Sequence, residues 1–345
     1  MNTFFTILIA LFAFGVIVAV HEFGHFIVAK ACKIRVNEFS IGMGPLLLKW
    51  GKGETQYSLR LLPIGGYCAM EGEEEASDNE RAFNKKPVWQ RFLVVAAGAT
   101  MNILLAFVII FVSACFDKSV DSTVVAKFDD NATSAQSGLM VDDKIVEVNG
   151  RHIFVSSDIS YEMLNDEDGF LEMKVVRNGE KITLNSVKFE ITTDEDGNNS
   201  IKRDFFVYGY KKTIPRLLSY SVKQTISTGR LIYLSLYDII RGKYGLNDMS
   251  GPIGVVSVIS QATSYGISTL LYLIALICIN IGIFNLLPLP ALDGGTLVLL
   301  IVEAIRRKPI PQKYETAVKF VGFALLILLM VVVSANDILR LIKGQ

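Results

Sequence analysis

Two of the chain's three histidines occur in His21-Glu22-Phe23-Gly24-His25. Residues four apart share one face of an α-helix, so both imidazoles can reach one metal ion while Glu22 lies alongside to handle the proton of a bound water. Such a donor set suits hydrolytic zinc. A second group comes much later, in Asn285-Leu286-Leu287-Pro288-Leu289-Pro290-Ala291-Leu292-Asp293-Gly294-Gly295. Its two prolines remove backbone donors and end regular helix. Asp293 is a suitable third zinc ligand, since three protein ligands leave a fourth position open for water. On the local sequence alone Asp293 also fits the cap of a helix that follows Gly294.

These residues must be positioned by membrane helices. The histidines sit in an almost unbroken apolar stretch from Phe4 to Ala29, where ionisable groups are costly and mark function. No Lys or Arg precedes Val20, whereas Lys30, Lys33 and Arg35 follow the stretch, the reverse of a signal peptide. Further runs long enough to span a bilayer lie at Phe92 to Phe116, Leu270 to Leu289 and Ala317 to Val333. Basic residues flank the end of the first span, the start of the second (Lys85, Lys86, Arg91) and the segment between the third and fourth (Arg306, Arg307, Lys308, Lys313). The positive-inside rule makes those ends cytoplasmic and puts both termini and Asp117 to Gly266 outside. His21, His25 and Asp293 then fall at one level, near the cytoplasmic side.

Composition agrees with a lipid environment. The chain has 345 residues, 51% of them hydrophobic, and zero formal net charge, with a positive mean hydropathy. Without a basic domain or tract, no nucleic-acid partner is expected. Cys32, Cys68, Cys115 and Cys278 are far apart and form neither a disulfide framework nor a metal-ligand spacing.

With these residues in place the chain resembles, over nearly its whole length, the site-2 protease family of M50-type intramembrane zinc metalloproteases. The likeness is to the bacterial RseP/RasP-like branch with one extracytoplasmic PDZ domain. His21 to His25 matches the family's His-Glu-x-x-His motif, and Asn285 to Gly294 its Asn-x-x-Pro-x-Pro-x-Leu-Asp-Gly motif. Gly98-Ala99-Thr100-Met101-Asn102 is similar to the Gly-x-x-x-Asn element of the second span, though small residues and an Asn on a membrane helix also serve helix packing. Phe39 to Pro45, Leu62 to Tyr67 and Ser250 to Gly254 are weaker matches in the right order.

The resemblance implies one Zn2+ held by His21, His25 and Asp293, with Glu22 as catalytic base. It also implies substrate contacts from Asn285, Pro288 and Pro290 and, less directly, from Asn102, Gly65 and Gly66. Thr55 to Met70, with a turn at Gly65-Gly66, is expected to form a cytoplasmic membrane-associated β-hairpin whose edge takes up the unwound substrate. The implied substrates are single-pass membrane proteins already trimmed on the outer side, such as anti-sigma factors, or remnant signal peptides.

The expected organisation is a multi-pass α-helical membrane protein with an inserted α/β domain. Residues 1–116 hold the first two spans and the hairpin, 117–200 a PDZ-like domain, 201–266 a juxtamembrane segment, and 267–345 the last two spans. Strands are predicted at Ser122 to Phe128, Lys144 to Asn149 and Leu171 to Arg177, and a Ser-capped helix at Ser157 to Asp166. The run Asp143 to Gly150 resembles bacterial PDZ domains, except that Asp142 replaces a usual glycine. His152 reads as an ordinary exposed side chain. An acidic turn is expected at Asp194 to Asn199, a helix at Pro215 to Lys243 that either lies on the outer membrane surface or packs between the domain and the membrane, and a solvated, mobile acidic run at Glu71 to Glu80. Two other readings compete with proteolysis. A membrane-bound PDZ module that captures protein tails would leave intact catalytic residues unused. A metal transporter would give Glu22 and the outer domain no role. Oligomeric state is left open.

Overall fold

The computed structural model describes residues 3–73, 75, 77–166, 168–193, 199–242 and 251–343. It divides into two compact units, one of residues 1–109 with 229–345 and one of residues 110–228. Four helices among the described residues are long and apolar enough to cross a membrane: Phe5–Ala31, Val88–Phe116, Ile267–Leu286 and Lys313–Asp337. This is a multi-pass membrane protein.

The first unit opens with helix α1 (Thr3–Ala31), which contains no proline. Strands β1 (Val36–Trp50) and β2 (Gln56–Met70) follow. The hairpin thus begins at Val36 rather than Thr55 and turns at residues 51–55, which corrects the expected turn at Gly65-Gly66. Those glycines lie inside β2, where Gly65 takes φ +91°. The register explains the bend: Glu38 faces both Ala69 and Gln56, and Ile41 both Gly66 and Leu59. Two long strands therefore curl on themselves, and a left-handed glycine lets β2 turn without breaking the pairing. Val36, Phe39, Cys68 and Met70 bury against Ala29, Val94 and Leu297.

The first residue of the acidic run is held by the fold. Glu71 accepts hydrogen bonds from Ser77 Oγ (2.7 Å) and Asn79 Nδ2 (3.1 Å), and pairs with Arg35 at 3.3 Å. Its charge is met by Arg35 from before β1, while Glu75, Asp78 and Glu80 are exposed. Helix α2 (Val88–Phe116) starts behind Pro87, whose carbonyl takes the amides of Gln90 and Arg91.

The second unit contains β3 (Val120–Phe128), α3 (Thr133–Gln136), β4 (Lys144–Val148), β5 (Arg151–His152), α4 (Ser156–Leu164), β6 (Phe170–Arg177), β7 (Glu180–Lys188), β8 (Ile191–Thr193), β9 (Asn199–Ile201) and β10 (Phe205–Tyr210). Strands pair in the order β10-β3-β4-β6-β7, with β5 attached to β4 and β8 paired with β9. Alternate side chains of β6 are buried (Leu171, Met173 and Val175) and join Val125, Ile145, Ile159 and Met163 in one core. The three predicted strands fall on β3, β4 and β6. Helix α4 starts one residue before the expected Ser157 and is capped by Asp158, whose Oδ2 accepts the amides of Phe154 (2.7 Å) and Val155 (3.2 Å). Asp142 takes φ +69°, so the loop keeps the conformation a glycine would adopt. His152 is exposed, 4.7 Å from Phe154 ring to ring. The acidic turn read at Asp194 to Asn199 lies outside the described residues except Asn199.

Helix α5 (Ile214–Ile240) follows. The rest of the first unit is α6 (Pro252–Tyr265), α7 (Ile267–Leu286), α8 (Asp293–Arg306) and α9 (Gln312–Lys343). Helix α6 was not anticipated from its sequence. Helix α7 ends where Leu287, extended at ψ 145° as a residue before proline must be, leads into Pro288. The chain turns at Ala291 (φ +73°) and resumes as α8 with Asp293 in its first position.

Candidate metal centre

His21 and His25 are adjacent turns of α1, and their Nε2 atoms lie 3.2 Å apart. Asp293 Oδ2, delivered by the proline-broken turn, lies 3.2 Å from His21 Nε2 and 3.4 Å from His25 Nε2. Both histidines are buried. Asp293 Oδ2 is shut off from solvent without a well-formed hydrogen bond. His25 Nδ1 lies 2.8 Å from the Val94 carbonyl, which can only accept, so Nδ1 carries the proton and the Nε2 lone pair faces the cluster.

Helix α2 can approach the imidazoles this closely because it carries a glycine, Gly98, against them. A Cβ on Gly98 would stand 2.4 Å from His25 Nε2 and 2.8 Å from His21 Cε1, and one on Gly24 of α1 would stand 2.5 Å from the Ala97 carbonyl. Gly294 and Gly295 are held as tightly, with a Cβ at 2.0 Å from Leu287 O and 2.4 Å from Leu289 O respectively. Side-chain-free positions on α2 and in the turn therefore set how near the carboxylate comes to the imidazoles.

The cluster opens into a cavity of about 890 Å³ walled by His21, Glu22, His25 and Asp293 with Tyr67, Cys68, Glu71 and Glu73 from the hairpin and the loop after it. The Cys68 backbone N–H donates to the Glu22 carboxylate. Gly66 packs beside Glu22, where a Cβ would be 3.3 Å from Cγ. Burial pushes the Glu73 carboxyl up to about 7, with His25 and Lys319 opposing. Burial, with Glu22 and Glu73 nearby, also pushes the Cys68 thiol up, leaving it a neutral wall group. All four cysteines are unpaired.

Not every expected site residue lines this cavity. Asn285 lies in the last turn of α7, Pro288 and Pro290 form the turn that follows, and Gly65 and Gly66 lie in β2; none of the five is among its walls, and neither is the fully buried Asn102. Sequence reasoning missed the Val94 carbonyl, which carries no sequence signal, and Glu73, which was read as part of a solvated run. Gly98 belongs to the Gly-x-x-x-Asn likeness, but its place against the imidazoles is not readable from that element.

Two imidazoles, one carboxylate with an unmet oxygen and a cradle that a Cβ would fill form a donor set that fits one zinc ion. Comparison with known proteins agrees with that chemistry. A family model described as peptidase family M50 matches residues 9–329. This chain belongs to peptidase family M50. A Clostridium acetobutylicum protein is 36% identical to the M50 chain over 97% of its length and 98% of the relative's own. The zinc metalloprotease RasP of Bacillus licheniformis and the regulator of sigma-W protease RasP of Bacillus subtilis are each 30% identical, covering 97% of this chain and 99% of theirs. Among solved structures, the PDZ domain of an SdrC-like protein from Listeria innocua covers 27% of the chain and 98% of its own length, at 19% identity and a TM-score of 0.20. The M50 chain is a zinc metalloprotease of the site-2, intramembrane-cleaving kind.

Proposed function

We propose that His21, His25 and Asp293 hold the zinc of this intramembrane protease and that Glu22 is its catalytic base. The observation that carries the reading is the convergence of two Nε2 atoms and one carboxylate oxygen within 3.4 Å of one another beside Glu22, on a cavity large enough for an unwound peptide segment. Zinc, when bound, polarises the scissile carbonyl and lowers the pKa of water to about 7. Glu22 takes the proton of the attacking water and returns it to the leaving amine. The hairpin stands over this reaction: Cys68 N–H orients the Glu22 carboxylate, and the strand edge offers backbone partners to a substrate helix that must unwind before its carbonyl is reached.

The flanking charges support an active site near the cytoplasmic side, with both termini and the inserted domain outside a bacterial cytoplasmic membrane. The inserted domain acts as a PDZ-like element that admits or excludes substrates. Substrates are single-pass membrane proteins trimmed beforehand on the outer side, of the anti-sigma-factor or remnant-signal-peptide type.

The test is purification of the full chain, zinc counting, and cleavage of model transmembrane peptides with and without a chelator. Glu22→Gln is expected to keep its zinc and lose cleavage, and Asp293→Ala to lose zinc as well. Full cleavage by a folded Glu22→Gln protein would remove Glu22 as the base, and undiminished zinc in Asp293→Ala would remove Asp293 as a ligand.

A further inference from the structure

Asn102 is fully buried on α2, one helical turn beyond Gly98, with its amide nitrogen 3.4 Å from His21 Nδ1 and its Oδ1 without a hydrogen-bond partner among the described residues. That arrangement is chemically inconsistent with a ligand role for His21 Nε2. An amide N–H donating to Nδ1 would put the ring proton on Nε2, the atom aimed at Asp293 and His25. The two ends of a carboxamide have nearly the same shape, and the hydrogen-bond network decides between them. Turned over, the amide places Oδ1 against Nδ1, gives the buried oxygen a donor, and leaves the Nε2 lone pair free.

We propose that Asn102 is a positioning residue that fixes His21 as its Nδ1–H tautomer, as the Val94 carbonyl does for His25. Each imidazole is then oriented through its far nitrogen by α2: one by a main-chain carbonyl at position 94, the other by a side chain at position 102, with Gly98 midway making room for both rings. The neighbouring helix locks the amide in place. Gly282 of α7 lies so close that a Cβ there would be 3.5 Å from Asn102 Cβ and 3.1 Å from the Ala99 carbonyl. An exposed substrate contact is not available to a side chain with no accessible surface.

This inference rests on the zinc assignment above, so the experiment separates the two. The full chain is prepared with Asn102→Leu, which keeps volume and removes the hydrogen bond, and with Asn102→Asp, which keeps an acceptor. Zinc affinity is read by competition with a chromophoric chelator, and His21→Ala serves as the control for the ligand assignment. Asn102→Leu should bind zinc about 10–100-fold more weakly, the usual effect of losing such an orienting partner, and Asn102→Asp should recover most of it. Metal-free protein with 15N-labelled histidine gives a second readout, tractable because only His21, His25 and His152 contribute. His21 should be the Nδ1–H tautomer in the natural protein and a mixture in Asn102→Leu. An unchanged tautomer in Asn102→Leu, or an Asp variant as weak as the Leu variant, would overturn the role of Asn102. Zinc bound equally well by His21→Ala would instead overturn the ligand assignment, leaving the tautomer measurement to decide on Asn102.

Discussion

Gly98 of α2 lies directly against His25 of α1, with space for a hydrogen and nothing larger: a Cβ would stand 2.4 Å from the imidazole Nε2. The ring cannot yield, because its Nδ1 is tied to Val94 O at 2.8 Å. Gly98→Ala should therefore displace a ligand nitrogen while leaving α2 helical, since alanine is the better helix former. A misplacement near 1 Å costs about a hundredfold in rate. Cleavage and bound zinc should both fall, whereas Thr100→Ala, on the exposed side of the same helix, should change neither. Retained zinc and cleavage in Gly98→Ala would show that the helices adjust.

Arg91 and Glu303 fasten the helix that begins with Asp293. Their side chains, only 12% and 14% exposed, meet in a two-pronged pair with Nη1–Oε2 at 3.0 Å and Nη2–Oε1 at 2.5 Å. Glu303 belongs to α8, whose first residue is Asp293, and Arg91 stands one turn before Val94 on α2. Removing one partner leaves a half-buried charge, so Arg91→Ala should cost about 2 kcal/mol in detergent unfolding and lower zinc affinity. The exchange Arg91→Glu with Glu303→Arg should restore part of both; restoration of stability without zinc affinity would confine the pair to a structural role.

How much of this was legible in the sequence follows from how local the chemistry is. The His21/His25 pair is written in one helical turn, and the break before Asp293 in two prolines, so the three side chains of the proposed ligand set stand out in the sequence, and the fold brings them together. Gly98 shows in the sequence as part of the Gly-x-x-x-Asn likeness, but what it does there does not, because its contribution is a volume left empty. The Val94 carbonyl had no signature, as every residue carries one. Within Glu71 to Glu80 the expectation of a solvated run fails at Glu71, which Arg35, Ser77 and Asn79 hold in place, while Glu75, Asp78 and Glu80 are exposed. The hairpin turn was misplaced at Gly65-Gly66 because glycine serves a bend inside a strand as well as a turn between strands.

The hairpin should carry an acid-sensitive lock. Glu38 accepts from Ser58 Oγ at 2.6 Å and Arg60 Nη2 at 3.0 Å, and Arg60 Nη2 also donates to Tyr67 Oη at 2.6 Å. Burial alone would raise the Glu38 carboxyl, but these hydrogen bonds and the Arg60 charge outweigh it and hold the group below its ordinary value of 4.5. A carboxylate with a depressed folded pKa adds stability above its unfolded pKa and loses that stability as pH falls through the folded one. Amide exchange in residues 36–70 should accelerate as pH drops below about 4.5, after correction for intrinsic rates. Glu38→Gln should flatten that dependence; an unaltered profile would mean that another group controls the hairpin.

Asp337, buried near the end of α9, accepts the backbone N–H groups of Gly251 (3.1 Å) and Gly254 (3.0 Å), and so caps α6 from another helix. Helix starts leave such donors unmet, and the buried Asp337 carboxylate supplies both acceptors here. Gly251 is required for the approach, since a Cβ there would lie 2.7 Å from Asp337 Oδ2. Asp337→Leu keeps volume but strands two donors, and should cost about 2–3 kcal/mol. Asp337→Asn, with one acceptor oxygen left, should fall between. Helix α6 packs on α1 through Ile259 and Ala10, far from the imidazoles in sequence, so zinc content should stay unchanged while thermal unfolding in detergent shifts downward. Loss of zinc in Asp337→Leu at full thermal stability would instead tie this cap to the metal centre.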